Sequence, residues 1–425
     1  MELFYPNIQW NLFRKISFRF FFLFTLLYTF SFSNFLLFFS IDKFYVSFIN
    51  LLVPFFAGNF FSINYPIHFE YNYSSDTTVN YVHLFIYFCF ATIGTLLWSI
   101  ADNKRITYDT LFHYFLIFCR YYLAFQLIGY GWHKVFRLQM PDIGLNQLLM
   151  SVGDQTPMGL AWKFIGFSEL FEKFTGWMEV ISGILLFFRK TTLIGGLLSF
   201  IVMLNVMILN YSYDIPVKLY SGGFVLLSLI ILSPYFKRLA DVLFLQKGVD
   251  TLSIKPLFKK HYLNTGRAIF KTLLILSGVA GSFMQVYSQA CEYGEDAAKP
   301  PLYGIYQTEV FIKNRDTMAL YSDSTVWKRM VFNSPGSITV YKFSDKKYKG
   351  KISIDTLKQT VDIKLMNDST NFYTLNYKQL NDTMYTFAGT DNKDTLQLNC
   401  RKINRTNFLL YKTGFNWINE SANNR

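Results

Sequence analysis

The sequence predicts a membrane all-α helical bundle of about seven transmembrane helices, followed by an extracytoplasmic antiparallel β-barrel or sandwich. Three observations predict it. The 425-residue chain is 52% hydrophobic, uses Phe 47 times and is only 16% charged, against about 25% charged for a soluble protein. Seven apolar runs approach the ~20 residues that a bilayer core demands of a helix. After about Cys291 these runs stop, and short segments of alternating polarity take over.

The apolar runs are 17–40, 79–101, 110–131, 174–188, 191–210, 219–234 and 268–290. The first lacks a small-residue cleavage site and is too long for a signal peptide, so it reads as an uncleaved helix. A further run, 44–61, is interrupted by Asn50, Pro54 and Gly58, and reads as an interfacial or re-entrant piece rather than a full span.

The net charge of +13 reads as topology. Arg14, Lys15, Arg19, Lys104, Arg105, Arg189, Lys190, Lys237, Arg238, Lys247, Lys255, Lys259, Lys260, Arg267 and Lys271 fall on one side of the expected spans. Lys43, Lys134, Arg137, Lys163, Lys173 and Lys218 fall on the other. The positive-inside rule then places the N-terminus in the cytoplasm of a multi-pass inner-membrane protein and the C-terminal domain in the periplasm or outside. No Lys/Arg stripe with interleaved aromatics suggests nucleic acid.

Alternation after Cys291 is clear in "TVDIKLM", where Val361, Ile363 and Leu365 share a face, in "FYTLNYK" with Tyr373, Leu375 and Tyr377, and in "DTLQLNC" with Leu396, Leu398 and Cys400. Eight to ten such strands suit a small barrel or sandwich with one buried face. The Gly304-x-Tyr306 opening and the final "GFNWINE" resemble the entry and exit strands of lipocalin-like barrels. The resulting organisation is 1–106 for N-terminal helices and an outer loop, 107–240 for a four-helix unit, 241–290 for a connector and last span, and 291–425 for the β-domain.

Charges inside a bilayer are expensive and mark candidate sites. Arg120 lies mid-span in "LIFCRYYLAF" and Glu179 in "GWMEVISGILL". His113, Arg120 and Lys134 recur at seven and fourteen residues, returning to nearly one helix face with a drift of ~20° per seven. Arg120 needs a partner, and Glu179 is the obvious acid; the pair reads equally as interhelical glue or as a ligand site. A second cluster, "NVMILNYSYDIPVKLYS", gathers Asn205, Asn210, Asp214 and Lys218, either as an ordinary polar hairpin or as an outer mouth beside Trp132, His133 and Lys134. The expected polar groove is therefore Arg120, Lys134, Glu179, Asp214 and Lys218, with His113, Trp132, His133, Asn205 and Asn210 as secondary candidates.

Of the four cysteines, none sits in a zinc-like spacing, so no metal site is expected. Cys291 and Cys400 are candidates for a disulfide in an oxidising compartment. No phosphate loop, nucleophile elbow or haem-attachment motif occurs. Nothing nominates a nucleophile, and whether the protein is an enzyme stays open.

Residues 113–239 resemble the DoxX family. The Gly-x-x-Lys pattern near the end of that family's first helix is matched by Gly131, Trp132, His133 and Lys134. Its Glu before a Gly-Leu-Leu run ending in Arg is matched by Glu179, Gly183, Ile184, Leu185, Leu186 and Arg189. The insert between Arg137 and Phe164, the flanking helices and the β-domain depart from the family pattern. The resemblance implies a four-helix membrane unit and permits a redox-associated role with quinone. A fainter likeness to membrane-embedded carboxylase-like helical domains also exists. Two readings follow: a membrane protein binding a quinone or other amphiphile such as lipid, with no cofactor motif of its own, or a non-enzymatic anchor presenting the β-domain to a membrane or periplasmic protein or to lipid.

Overall fold

The computed structural model describes residues 9–31, 39–67, 69, 76–249, 260–295, 297–321, 326–344, 346–366, 372–391 and 393–420. The helices are α1 (Leu12–Ser31), α2 (Phe39–Phe61), α3 (Thr78–Ala101), α4 (Asp109–Val135), α5 (Leu145–Leu148), α6 (Pro157–Phe167), α7 (Glu169–Phe187), α8 (Thr192–Ser212), α9 (Lys218–Leu232), α10 (Phe236–Leu243) and α11 (His261–Tyr293). The strands are β1 (Gly304–Lys313), β2 (Asp316–Thr317), β3 (Trp327–Ser334), β4 (Ser337–Lys342), β5 (Lys347–Asp355), β6 (Thr360–Leu365), β7 (Phe372–Gln379), β8 (Met384–Thr390) and β9 (Thr395–Ile403), followed by α12 (Leu409–Lys412). Two units form: Met1–Gln139 with Glu169–Gln289, and Met140–Ser168 with Ala290–Arg425.

Among the described residues, six helical stretches are long and apolar enough to cross a membrane: Phe44–Phe61, Thr78–Ala101, Asp109–Val135, Thr192–Ser212, Lys218–Leu243 and His261–Tyr293. The set differs from the sequence expectation. The run 44–61 is not a broken interfacial piece but part of one continuous helix through Pro54, because its dense apolar packing holds the helix together: Ile49, Val53 and Ala57 bury against Val79, Val82 and Ile86 of α3. Two expected spans fall outside the set. The α1 helix carries Arg14, Lys15 and Arg19, and α7 carries Glu169, Glu172, Lys173 and Glu179. Residues 32–38 of the first expected run lie outside the described residues.

The helical unit alternates in direction. Trp10 hydrogen-bonds through its backbone to Ile106 and through its indole to Asp109, so the start of α1, the end of α3 and the start of α4 share one end. Arg19, counted above as a topology signal, is a buried clamp there: its guanidinium donates to the Tyr108 hydroxyl, Ser99 Oγ and the Asp102 carbonyl. The α7 helix returns antiparallel to α4. Gly196 of α8 packs on Leu232 of α9 at the same end. The α11 helix starts there, with Lys271 beside Phe187, and runs up past Trp132 and Phe136, which meet Phe283. The basic residues of α1, of the α3–α4 and α7–α8 turns, of α10 and of early α11 thus collect at one end. Lys255 and Lys259 lie outside the described residues, as does the side chain of Lys43.

The second unit contains a closed antiparallel β-barrel. Strands β3 to β9 pair in sequence order, and β1 pairs with both β3 and β9, closing eight strands; β2 merely extends β1 as a hairpin. Closure excludes the sandwich alternative. The alternation read from sequence is the inside face: Val361, Ile363, Leu365, Tyr373, Leu375, Leu396, Leu398 and Cys400 are buried in the barrel core. In an eight-stranded barrel the interior is narrow enough for side chains to fill, and Tyr306 stands edge-on to Phe332, Tyr385 and Phe387. Gly304-x-Tyr306 does open β1, but "GFNWINE" is no exit strand: the last strand is β9, and Phe415, Trp417 and Ile418 are exposed.

Segment 140–168, expected within the four-helix unit, belongs to the β-containing unit. Leu145 buries with Ile305, Val331 and Tyr341 on the outer face of β1, β3 and β4. Asn333 accepts from Leu145 N at 3.0 Å, and Tyr341 donates to Asn146. Arg405 binds the carboxylate of Asp142 and the Ile143 carbonyl, and Tyr411 donates to Asp142 as well. The expected disulfide is absent: Cys291 is an exposed free thiol, while Cys400 is a buried free thiol beside Thr308.

Candidate functional site

A cluster of buried ion pairs lies between α4 and α7. Glycines create it. A Cβ on Gly131 would stand 2.6 Å from Val180 Cγ2 and 2.7 Å from the Gly176 carbonyl; one on Gly176 would stand 2.8 Å from the Gly131 carbonyl; one on Gly183 would stand 2.7 Å from the Ala124 carbonyl. These three positions let the two backbones approach as only small residues allow. Three residues beyond Gly131, Lys134 then reaches Glu179, three residues beyond Gly176. The Lys134 ammonium donates to Glu179 Oε1, and both residues are buried.

A second ion pair stands beside it. Just past α4, Arg137 places Nε 3.3 Å from Glu172, which is wholly buried, and reaches Glu169 at 3.6 Å. Glu169 also pairs with Lys173. Glu172 and Glu179 are seven residues apart on one face of α7, and Lys134 and Arg137 three apart on the facing helix end. An antiparallel pair brings these spacings into two rungs. The sequence reading missed Glu172, although its one-heptad spacing from Glu179 was the signal that finds it.

The pair Arg120–Glu179 expected from sequence does not form. Arg120 faces α7 as the heptad spacing required, but its Nε and Nη2 donate to the Leu186 carbonyl at 3.0 and 2.7 Å. Antiparallel packing sets Arg120 against the end of α7, seven residues beyond Glu179, and Lys134 takes the acid instead.

Asp214 and Lys218 form their own cluster. Lys218 Nζ lies 2.7 Å from Asp214 and 3.8 Å from Asp76. Asp76, which the sequence reading missed, accepts from the backbone N–H groups of Lys218 and Leu219 and so caps the start of α9, where a carboxylate suits the helix dipole. Asn210 donates to Ser221 at 3.0 Å, whereas Asn205 is exposed on α8. The cluster reads as a capped polar hairpin. His133 is bonded within its own helix to the Gly129 carbonyl. His113 is half-buried at the basic end of α4. Trp132 is buried edge-on to Trp177 and Phe283.

Two buried polar atoms at this site lack a hydrogen-bond partner among the described residues: Glu179 Oε2 and Trp132 Nε1. One is an acceptor and the other a donor. Buried groups of this kind are normally satisfied, so both are open valences in a water-poor setting. Among the described residues no group of three or more His, Cys, Asp or Glu side chains is placed to hold a metal.

Fold and site together define a protein of two parts, a helical unit with six candidate spans among its described residues and internal ion pairs, and a unit containing a closed β-barrel. No family model matches the sequence, and no solved structure matches it. Over 135 residues, 32% of this chain and 85% of the other, it is 27% identical to the uncharacterized protein YwoB of Bacillus subtilis (strain 168).

Proposed function

We propose that the helical unit binds the polar head of an amphiphile, a quinone or a lipid, at the Lys134–Glu179 pair. The observation that carries this reading is the combination of a buried ion pair with a spare acceptor on Glu179 and a spare donor on Trp132 within one turn of it. A hydroxyl head, as on a reduced quinone or a glycerolipid, donates to the Glu179 carboxylate and accepts from the Trp132 indole, whereas a carbonyl head serves the Trp132 donor only. Interhelical glue is a weaker account, since an isolated polar bond between membrane helices contributes only about 0.6–2 kcal/mol and leaves both atoms unsatisfied. The residues that resemble the DoxX pattern, Gly131-x-x-Lys134 and Glu179 onward, are those that meet here, which supports a DoxX-like reading. The gathering of basic residues at the opposite end of the unit supports placing that end in the cytoplasm and the β-containing unit outside it.

The test is mass spectrometry of lipids and quinones retained by the purified full chain. Wild type should carry an amphiphile that Glu179→Gln and Lys134→Met lose. Equal retention by all three sinks the proposal.

A second reading, a non-enzymatic anchor presenting the barrel to a protein partner, is favoured by the packing of the barrel interior with Tyr306, Phe332 and Phe387, which makes the outer surface the natural contact. Removing residues after 290 discriminates. Loss of the cellular phenotype with the helical unit still inserted favours the anchor, and an unchanged phenotype rejects it.

A further inference from the structure

At the other end of α7, away from the Lys134–Glu179 pair, cations from three elements converge. The last carbonyls of the helix are each taken. Leu185 accepts from Thr191 Oγ1 at 2.6 Å, Leu186 from Arg120 at 2.7 and 3.0 Å, and Phe187 from Lys271 Nζ at 2.6 Å. Arg189 follows two residues beyond Phe187, and Arg267 lies one turn before Lys271 on the same face of α11. Arg120, Arg189, Arg267 and Lys271 are close enough to feel one another's charge, and His113, a heptad before Arg120, feels the three arginines.

The charge does not balance. A helix C-terminus supplies about half of one negative charge, against four cations. Among the described residues no carboxylate pairs with any of the four. Arg120 directs only Nε and Nη2 at Leu186, leaving Nη1 for another acceptor, and His113 Nε2 has no hydrogen-bond partner among the described residues. A plain topology signal needs basic residues near the membrane surface, as Lys190 and Lys237 are, exposed and scattered. It does not need them drawn together from α4, the α7–α8 turn and α11 at the cost of mutual repulsion.

We infer that this cluster is a binding site for a phosphate group, carried by an anionic lipid headgroup or free in solution. A phosphate presents several oxygens to donors arriving from different directions and suits planar guanidinium forks. Basic pockets between membrane helices at the headgroup level hold such groups. The site is independent of the proposed amphiphile site at the far end of α7.

The experiment uses the full chain in two arms. In the first, protein is reconstituted into an equimolar phosphatidylcholine–phosphatidylglycerol mixture and re-extracted, and the ratio of the two lipids retained is measured. In the second, inorganic phosphate is titrated calorimetrically into protein in an uncharged detergent. Arg189→Gln/Arg267→Gln should lower phosphatidylglycerol enrichment about 25-fold, while Lys190→Gln should leave it unchanged. Loss in the lipid arm assigns the site to a headgroup; loss of heat in the phosphate arm alone assigns it to free phosphate. If the double variant fails to fold, each single variant should still lower the ratio by about fivefold. Equal behaviour of wild type and folded variants in both arms, or an equal loss in Lys190→Gln, overturns the proposal.

Discussion

The Lys134 ammonium and the Glu179 carboxylate, 45 residues apart in sequence, meet inside the helical unit as a buried ion pair. Removing one partner leaves an uncompensated charge in a low-dielectric interior. Glu179→Gln is therefore expected to destabilise the helical unit by about 3 kcal/mol, and Lys134→Met/Glu179→Leu to recover most of that loss, because a matched apolar pair needs no desolvation. Thermal unfolding in detergent reads both. A double variant no better than Glu179→Gln would mean that the pair is not energetically coupled.

The glycines beside the pair set its geometry. Gly176→Val should lower stability by about 1–3 kcal/mol by overpacking, and should separate Lys134 from Glu179 by pushing α4 off α7. Gly129, which has nothing within 4 Å of an added Cβ, is the control: Gly129→Ala should be neutral or slightly stabilising. The same melting experiment decides, and equal effects at the two positions would contradict the close-approach account.

Arg405 ties the segment after Met140 to the β-containing unit through Asp142 and Ile143. Arg405→Ala should loosen that segment and expose it to protease, since local opening precedes cleavage. Limited proteolysis should show faster nicking between α5 and α6 with the barrel still resistant; an unchanged cleavage pattern would remove Arg405 from this role.

The two thiols of the β-containing unit should behave oppositely. Cys291 is exposed and should react with maleimide in the folded protein. Burial pushes the Cys400 thiol up to about 12 from its ordinary 9.0, so it should react only after denaturation. Its neutral form is favoured by folding, so the sign is fixed: that stabilisation is whole below pH 9 and is lost as pH rises from 9 toward 12. The buried Tyr306 phenol, raised for the same reason, adds to this alkaline sensitivity. Unfolding of the barrel followed by circular dichroism should shift to lower temperature over that interval, and Cys400→Ser should reduce the shift.

Sequence periodicity alone determined much of this protein. Runs of apolar residues specify helices, because a chain in hydrocarbon must satisfy its own backbone. Period-two alternation at Val361, Ile363 and Leu365 specified a strand and its inward face, because side chains alternate across a strand. The heptad spacing of Arg120 and Lys134 placed both on the face toward α7. Partners were another matter. Glu179 sits on a helix whose direction and offset against α4 are set by Gly131, Gly176 and Gly183, and that offset gives the acid to Lys134 and a backbone carbonyl to Arg120. Asp76 meets Lys218 across 142 residues, beyond the reach of any local pattern. Closure of β1 on β9 is likewise a long-range pairing that alternation cannot distinguish from a sandwich. Nor does local composition show that segment 140–168 serves the barrel, since Leu145 and Asp142 find Val331 and Arg405 only in three dimensions. Local periodicity fixes which face a residue presents; only the packing of distant elements decides what that face meets.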